Sequence, residues 1–181
     1  MIKVILMRHG ETEWSVLNRI QGIQQVSLTH KGKKQIEKAC FDLLSNKNIQ
    51  VTKIITSPLH RAKESAGICQ RILNLPLVEL DYFRERSFGE LEGKTLQEIR
   101  LQYKMSDIEE LEDGLFGIES VQSLIDRIDI GLKELKATYS NENLLIITHG
   151  SVIKWIFEKY QAKKIGIIPN GGYRCIKIEN E

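Results

Sequence analysis

The chain has 181 residues, 41% of them apolar and 28% charged, which suits a water-exposed globular fold with room for one core. Its 26 Lys and Arg against 24 Asp and Glu leave a formal charge of +2, with both signs interspersed, so charge singles out neither nucleic acid nor a membrane surface as a partner. Three cysteines, odd in number and far apart in sequence, argue against a disulfide framework, and no His/Cys cluster has zinc spacing. In chain order, the first element is the apolar run Ile2–Met7, of strand length and rich in β-branched residues. Ile36, Ala39, Cys40, Leu43 and Leu44 then share one face of a predicted helix. A second strand is predicted over Val51–Ile55. After it Ser57–Pro58 has the pattern of an N-cap with proline at the first helical position, leading into a stripe of Leu59, Ala62, Ala66, Cys69 and Leu73. The stretch at about 80–118 breaks the alternation. It holds several glycines and an acidic patch, Asp107–Asp113, and reads as an insertion that covers one end of a sheet. Val121, Leu124, Ile125, Ile128, Leu132 and Leu135 give a third helical stripe. A strand over Leu144–Ile147 and a helix with Val152, Ile153, Ile156, Phe157 and Tyr160 inward follow, and the alternating Tyr173–Ile178 suits an edge strand.

Strands alternating with helices predict an α/β fold, a three-layer sandwich with a mostly parallel central sheet flanked by helices. Apolar runs without alternation are what strands buried on both faces require. No stretch approaches the roughly 20 apolar residues of a membrane span, and Val4–Met7 runs straight into Arg8, so a cytoplasmic protein is expected.

The chemistry is indicated by position. Each of the three apolar strands ends in a polar cluster: Arg8-His9-Gly10-Glu11-Thr12, then Thr56-Ser57-Pro58-Leu59-His60-Arg61, then Thr148-His149-Gly150-Ser151. Ligands of open α/β sheets bind outside the carboxyl ends of the strands. His9, Arg61 and His149 are therefore expected to meet, with Arg8 beside them. Two imidazoles and two guanidinium groups in one crevice call for an anion, and phosphate fits the planar donor set of arginine. Gly150 opens a helix whose N–H groups also favour an anion. A neutral imidazole can serve as a covalent nucleophile, and phosphoryl transfer spreads charge over oxygens that fixed cations stabilise. Such a route needs no metal and no organic cofactor, and none is expected.

These residues carry a family resemblance. Arg8-His9-Gly10-Glu11-Thr12-Glu13-Trp14 resembles the signature of the histidine phosphatase superfamily, which includes the phosphoglycerate mutases. The likeness continues, in order, through Gln21-Gly22, Leu28-Thr29 with Gly32, Ser57-Pro58-Leu59 with Arg61-Ala62, Arg84-Glu85 with Phe88-Gly89 and Glu92-Gly93, Glu119-Ser120 with Arg127, and Thr148-His149-Gly150. The resemblance implies a phosphoglycerate mutase-like fold over 1–181 as a single histidine phosphatase domain, with the insertion acting as a lid. It implies His9 as the residue phosphorylated and Arg8, Arg61 and His149 as holders of the phosphoryl oxygens. It implies Glu85 as proton donor to the leaving group, with Gln21 and Gly22 lining that side. Ser15 stands where the family usually has a phosphate-touching asparagine, and Asn18 is the candidate to reach in instead. Gln25 and Ser27 replace the family's aspartate and proline in a turn, with little catalytic effect expected.

Neighbouring residues have plainer roles. His30 and His60 fit helix termini, Trp14 a packing anchor, and Cys40 and Cys69 small buried hydrophobes. Glu11, Asp81 and Glu92 compete with Glu85 as carboxylates in reach. The function expected is a phosphatase acting on a small-molecule phosphate ester. A cofactor-dependent phosphoglycerate mutase is one alternative, disfavoured by the short span between Glu85 and Glu119. A non-catalytic phospho-ligand or protein-binding module is the other, supported only by Ser15. No feature specifies the leaving group or an oligomeric state.

Overall fold

The computed structural model describes residues 2–104 and 115–178. The acidic patch Asp107–Asp113 lies outside the described residues. Five strands form one sheet: β1 (Ile2–Arg8), β2 (Lys53–Thr56), β3 (Leu77–Glu79), β4 (Asn143–Thr148) and β5 (Tyr173–Ile178). Their spatial order is β3-β2-β4-β1-β5. β1 runs parallel to β4, and β2 runs parallel to β4 and to β3, while β5 closes the edge antiparallel to β1. The sheet is thus mostly parallel, and the three strands with long apolar runs occupy its middle.

Side-chain alternation divides those strands between two helical layers. Ile2, Val4 and Leu6 of β1, with Leu144 and Ile146 of β4, pack against α5 (Val121–Thr138) and α6 (Gly150–Gln161). Ile5 and Met7, with Ile54, Leu145 and Ile147, pack on the other face against α2 (His30–Ser45) and α3 (His60–Leu73). Both faces are dry, which is why these strands read as continuous apolar runs. Each fully buried Leu, Ile or Val here contributes about 1.5–3 kcal/mol through area removed from water. Two shorter helices, α1 (Glu13–Val16) and α4 (Leu96–Tyr103), lie outside these layers. Among the described residues no helix is long and apolar enough to cross a membrane.

The part of the insertion that is described has a small core of its own. Phe88, Leu91, Ile99 and Ile118 are buried together, with Ile20, Tyr103 and Phe116 packed around them. Backbone bonds sew the loop after α1 to it: the Ile20 amide donates to the Lys94 carbonyl at 2.9 Å, and the Gly93 amide to the Ile20 carbonyl at 2.8 Å.

Several expectations need correcting. The helix after β2 starts at His60 with Leu59 as its cap, and no side chain caps it from Ser57. The Ser57 hydroxyl accepts from the Leu59 amide at 3.2 Å and faces His149 instead. Gln25, assigned only to a turn, caps this helix through its carbonyl oxygen on the His60 amide at 2.8 Å. Leu44 is turned outward rather than into the α2 stripe, and 56% of it is exposed. β3 (Leu77–Glu79) has no counterpart among the predicted strands. Cys40 and Cys69 are buried, as expected, but they face each other between α2 and α3 as free thiols with sulfurs 2.9 Å apart.

Candidate active site

Parallel pairing of β1 with β4 sets Arg8 opposite Thr148, and the next amide, that of His9, donates to the Thr148 carbonyl at 3.0 Å. His9 and His149 therefore leave the sheet side by side, with ring centroids 5.2 Å apart. β2, on the other side of β4, delivers Ser57 and the first turn of α3, which carries Arg61. The Arg61 Nε–H donates to His9 Nε2 at 3.2 Å. Four residues expected together from distant sequence positions, Arg8, His9, Arg61 and His149, are thus brought to one end of the sheet.

The His9 ring is fixed from both ends. Nδ1 lies 2.8 Å from the Gly10 carbonyl, which can only accept, so Nδ1 carries the proton. Nε2 then holds the lone pair. Burial, with the Arg61 and Arg8 charges next, pushes His9 well below the usual histidine value. His149 is pushed down by burial first and then by Arg61, His9 and Arg8. Both rings are neutral at neutral pH as a result. His149 Nε2 pairs with the Ser57 hydroxyl at 2.7 Å, while its Nδ1 has no hydrogen-bond partner among the described residues although it is buried.

The nucleophile loop is held by backbone contacts and small residues. The Asn170 amide group donates to the His9 carbonyl at 3.2 Å and the Gly10 carbonyl at 3.3 Å. The Gly10 amide donates to Ser65 on α3, whose hydroxyl in turn donates to the Arg61 carbonyl at 2.7 Å. A Cβ on Gly10 would run into the Gly32 backbone, so only glycine lets the loop lie this close to α2.

Arg61 is 1% exposed, and burial lowers its guanidinium to about 10, so it stays charged at neutral pH. Glu85 and Glu92 oppose that shift. Its terminal nitrogens donate to the Gly22 carbonyl at 2.6 Å and the Gln24 carbonyl at 2.9 Å. The Arg8 guanidinium donates to the Ile168 carbonyl at 2.7 Å.

These groups floor a cleft of about 570 Å³. Arg8, His9, Ser15, Asn18, Gln21, Gly22, Arg61, Glu85 and Gly150 all line it. His149 lies behind His9, fully buried. The Ser15 hydroxyl is largely spent: it contacts the Thr12 amide and hydroxyl in the α1 capping box and accepts from Gln21 at 2.9 Å. Of the carboxylates weighed, Glu85 is the one on the cleft. Glu11 pairs with Lys31 at 2.8 Å, Asp81 with Arg84 at 2.7 Å, and Glu92 binds backbone amides.

Glu85 is placed by Arg127, one of the motif residues. The guanidinium grips Glu119 at 2.7 and 3.0 Å and donates to the carbonyls of Tyr82, Arg84 and Glu85 at 2.8–3.1 Å. Glu119 is held below its ordinary carboxylate value by Arg127, against the opposing effect of burial. The sequence does not single out Asn170, nor Leu96 and Ile167, which with the motif residue Phe88 form an apolar mouth. Asn170 has a weak signal in the turn-forming Pro169-Asn170-Gly171-Gly172, and Leu96 and Ile167 have none. Among the described residues, no three His, Cys, Asp or Glu side chains group so as to hold a metal ion.

A buried histidine pair beside fixed arginines, at the carboxyl ends of a mostly parallel sheet, defines a phosphoryl-handling α/β protein. The chain belongs to the histidine phosphatase superfamily (branch 1), whose family model matches residues 4–178. It is 35% identical over 154 residues to the uncharacterized phosphatase PhoE of Bacillus subtilis, covering 84% of this chain and 74% of that protein. It is 31% identical to phosphoserine phosphatase 1 of Hydrogenobacter thermophilus, over 82% of this chain and 71% of the relative. Among solved structures, Bacillus stearothermophilus YhfR superposes with a TM-score of 0.86 at 26% identity, over 99% of this chain and 92% of that one.

Proposed function

We propose that this chain is a phosphatase that hydrolyses small phosphorylated metabolites through a phosphohistidine intermediate on His9. The observation that carries the reading is the state of the His9 ring: neutral, its proton tied to the Gly10 carbonyl, its Nε2 lone pair directed at a buried guanidinium. The phosphoryl group of the ester settles between Nε2 and the Arg8 and Arg61 guanidinium groups. The Nε2 lone pair attacks phosphorus, the bond to the ester oxygen breaks, and the Glu85 carboxyl gives that oxygen a proton. The ring keeps its Nδ1 proton, so the intermediate is a phosphorylated imidazolium, itself a good leaving group. Water then attacks phosphorus, Glu85 takes its proton, the P–N bond breaks, and inorganic phosphate leaves.

Arg8, Arg61 and the buried edge of His149 stabilise the charge on the equatorial oxygens. Gln21, Gly22, Ser15, Asn18 and Gly150 shape the walls. In this reading residues 1–181 act as one catalytic domain, and the described part of the insertion walls the leaving-group side. The guanidinium groups supply the positive charge, so no metal enters the scheme and EDTA should leave the rate unchanged.

The direct test is hydrolysis of p-nitrophenyl phosphate by the wild type and by His9→Ala. Equal rates would remove His9 from the reaction. A parallel incubation with 3-phosphoglycerate, with and without 2,3-bisphosphoglycerate, is expected to release phosphate. Rapid formation of 2-phosphoglycerate would make the protein a mutase.

A further inference from the structure

The Glu92 carboxylate, in reach of the site by sequence, is taken up by amides rather than turned to the cleft. One oxygen accepts from the amides of Ile23 at 3.1 Å and Phe88 at 2.9 Å, and the other accepts from the Gln24 side chain at 2.8 Å. It therefore joins the insertion to the loop at 21–24. That loop is the one whose Gly22 and Gln24 carbonyls catch both terminal nitrogens of Arg61. The fit is close: Gly22 has φ +47°, and a Cβ there would overlap the Glu92 carboxylate. The glycine at 22 and the glutamate at 92 are halves of one contact.

We propose that Glu92 is a positioning residue that holds the loop at 21–24 and through it aims the Arg61 guanidinium at His9 Nε2 and the incoming phosphoryl group. The proposal rests on the phosphatase reading and adds a residue to it. Without the carboxylate, the two backbone amides lose their acceptor, the Gly22 and Gln24 carbonyls drift, and Arg61 loses the fixed geometry that makes its charge useful in the transition state. The carboxylate also adds negative charge close to a buried cation.

The test compares Glu92→Ala, Glu92→Gln and Gly22→Ala. It uses kcat and KM for p-nitrophenyl phosphate, inhibition by vanadate as a mimic of the transferring group, and thermal midpoints. Glu92→Ala should lower kcat by about tenfold or more, the scale of losing a charged hydrogen-bond acceptor. It should weaken vanadate inhibition by a similar factor and change KM less. Glu92→Gln keeps an oxygen for both amides, and its NH2 can meet Oε1 of the Gln24 side chain after that side-chain amide turns over. It should stay within about threefold of the wild type, a rescue by shape. Gly22→Ala attacks the same contact from the other side, should reproduce the Glu92→Ala pattern, and serves if Glu92→Ala does not fold. A lower thermal midpoint with unchanged kcat and vanadate affinity would overturn the proposal. So would a Glu92→Gln protein as inactive as Glu92→Ala, because the hydrogen-bonded shape would then not be what Glu92 supplies. A wild type that binds vanadate but turns over no ester defeats the phosphatase reading alone, since vanadate affinities still judge Glu92. A wild type that binds no vanadate overturns both.

Discussion

The floor of the cleft and its mouth are built in opposite ways. The floor is made of strand ends and the first turn of α3, and its polar groups are buried: His9 is 2% exposed, Arg61 1% and His149 0%. His9 and His149 leave the carboxyl ends of β1 and β4, and Arg61 sits on the first turn of the helix that follows β2. The mouth is made of loops, one short helix and the small core around Leu91, and two of its side chains stand partly in water: Leu96 is 38% exposed and Ile167 42%, while Phe88 is buried. Burial and hydrogen bonds fix the charges of the floor, as phosphoryl transfer demands. The exposed side chains of the mouth, Leu96 and Ile167, can change without disturbing them, whereas Glu92 ties the insertion to the loop that holds Arg61. We expect the strand ends and α3 to hold the phosphoryl group and the mouth around Phe88, Leu96 and Ile167 to contact the leaving group, a division that substitutions can break or sharpen.

The largest effect should come from His9→Ala, which removes the covalent route. Hydrolysis of p-nitrophenyl phosphate should fall by about 10³-fold or more, while the fold remains. Next is Arg61→Ala. It removes a fixed charge from the transition state and should cost roughly 10²–10³-fold in kcat, read from the same assay. At the mouth, Leu96→Ala should change kcat/KM by less than about tenfold, and by factors that differ between bulky and small phosphate esters. A uniform 10²-fold loss across esters would erase the distinction between mouth and floor.

The smallest effect concerns stability against pH. Both buried histidines have pKa values depressed below their ordinary 6.5. Above that pH neither state binds a proton at these sites, so stability is indifferent to them. As pH falls below 6.5, the unfolded chain takes up protons first and folding weakens until the native pKa values are reached. Urea midpoints should decline over that window, and His149→Asn should flatten the decline. An identical pH dependence in the two proteins would contradict the burial assigned to His149.

The contrast between floor and mouth also explains what the sequence could reveal. β1, β2 and β4 were legible because strands covered on both faces must be continuously apolar, and each ends abruptly in polar residues. β3 was not, because Leu77-Val78-Glu79 is three residues long at a sheet edge and its side chains are only partly buried. The α3 start was misplaced because Ser57 and Pro58 mimic a cap, whereas the serine is engaged with His149. Leu44 follows the spacing of the α2 stripe but lies beyond the edge of the buried face. Arg8, His9, Arg61 and His149 were readable from strand ends. Asn170 and Ile167 were not, because a loop from the far end of the chain reaches the site only through the tertiary fold. The job of Gln25 escaped for the same reason, since a residue 35 positions from His60 caps its helix.

The central claim is that the phosphoryl group passes through the Nε2 atom of His9. Brief mixing of the wild type with a phosphorylated ester, quenching in alkali, and peptide mass spectrometry should find one acid-labile, base-stable phosphate on His9, absent from His9→Ala. A turnover-competent wild type in which no phosphate is ever found on His9, or in which the label sits on another residue, would contradict the account.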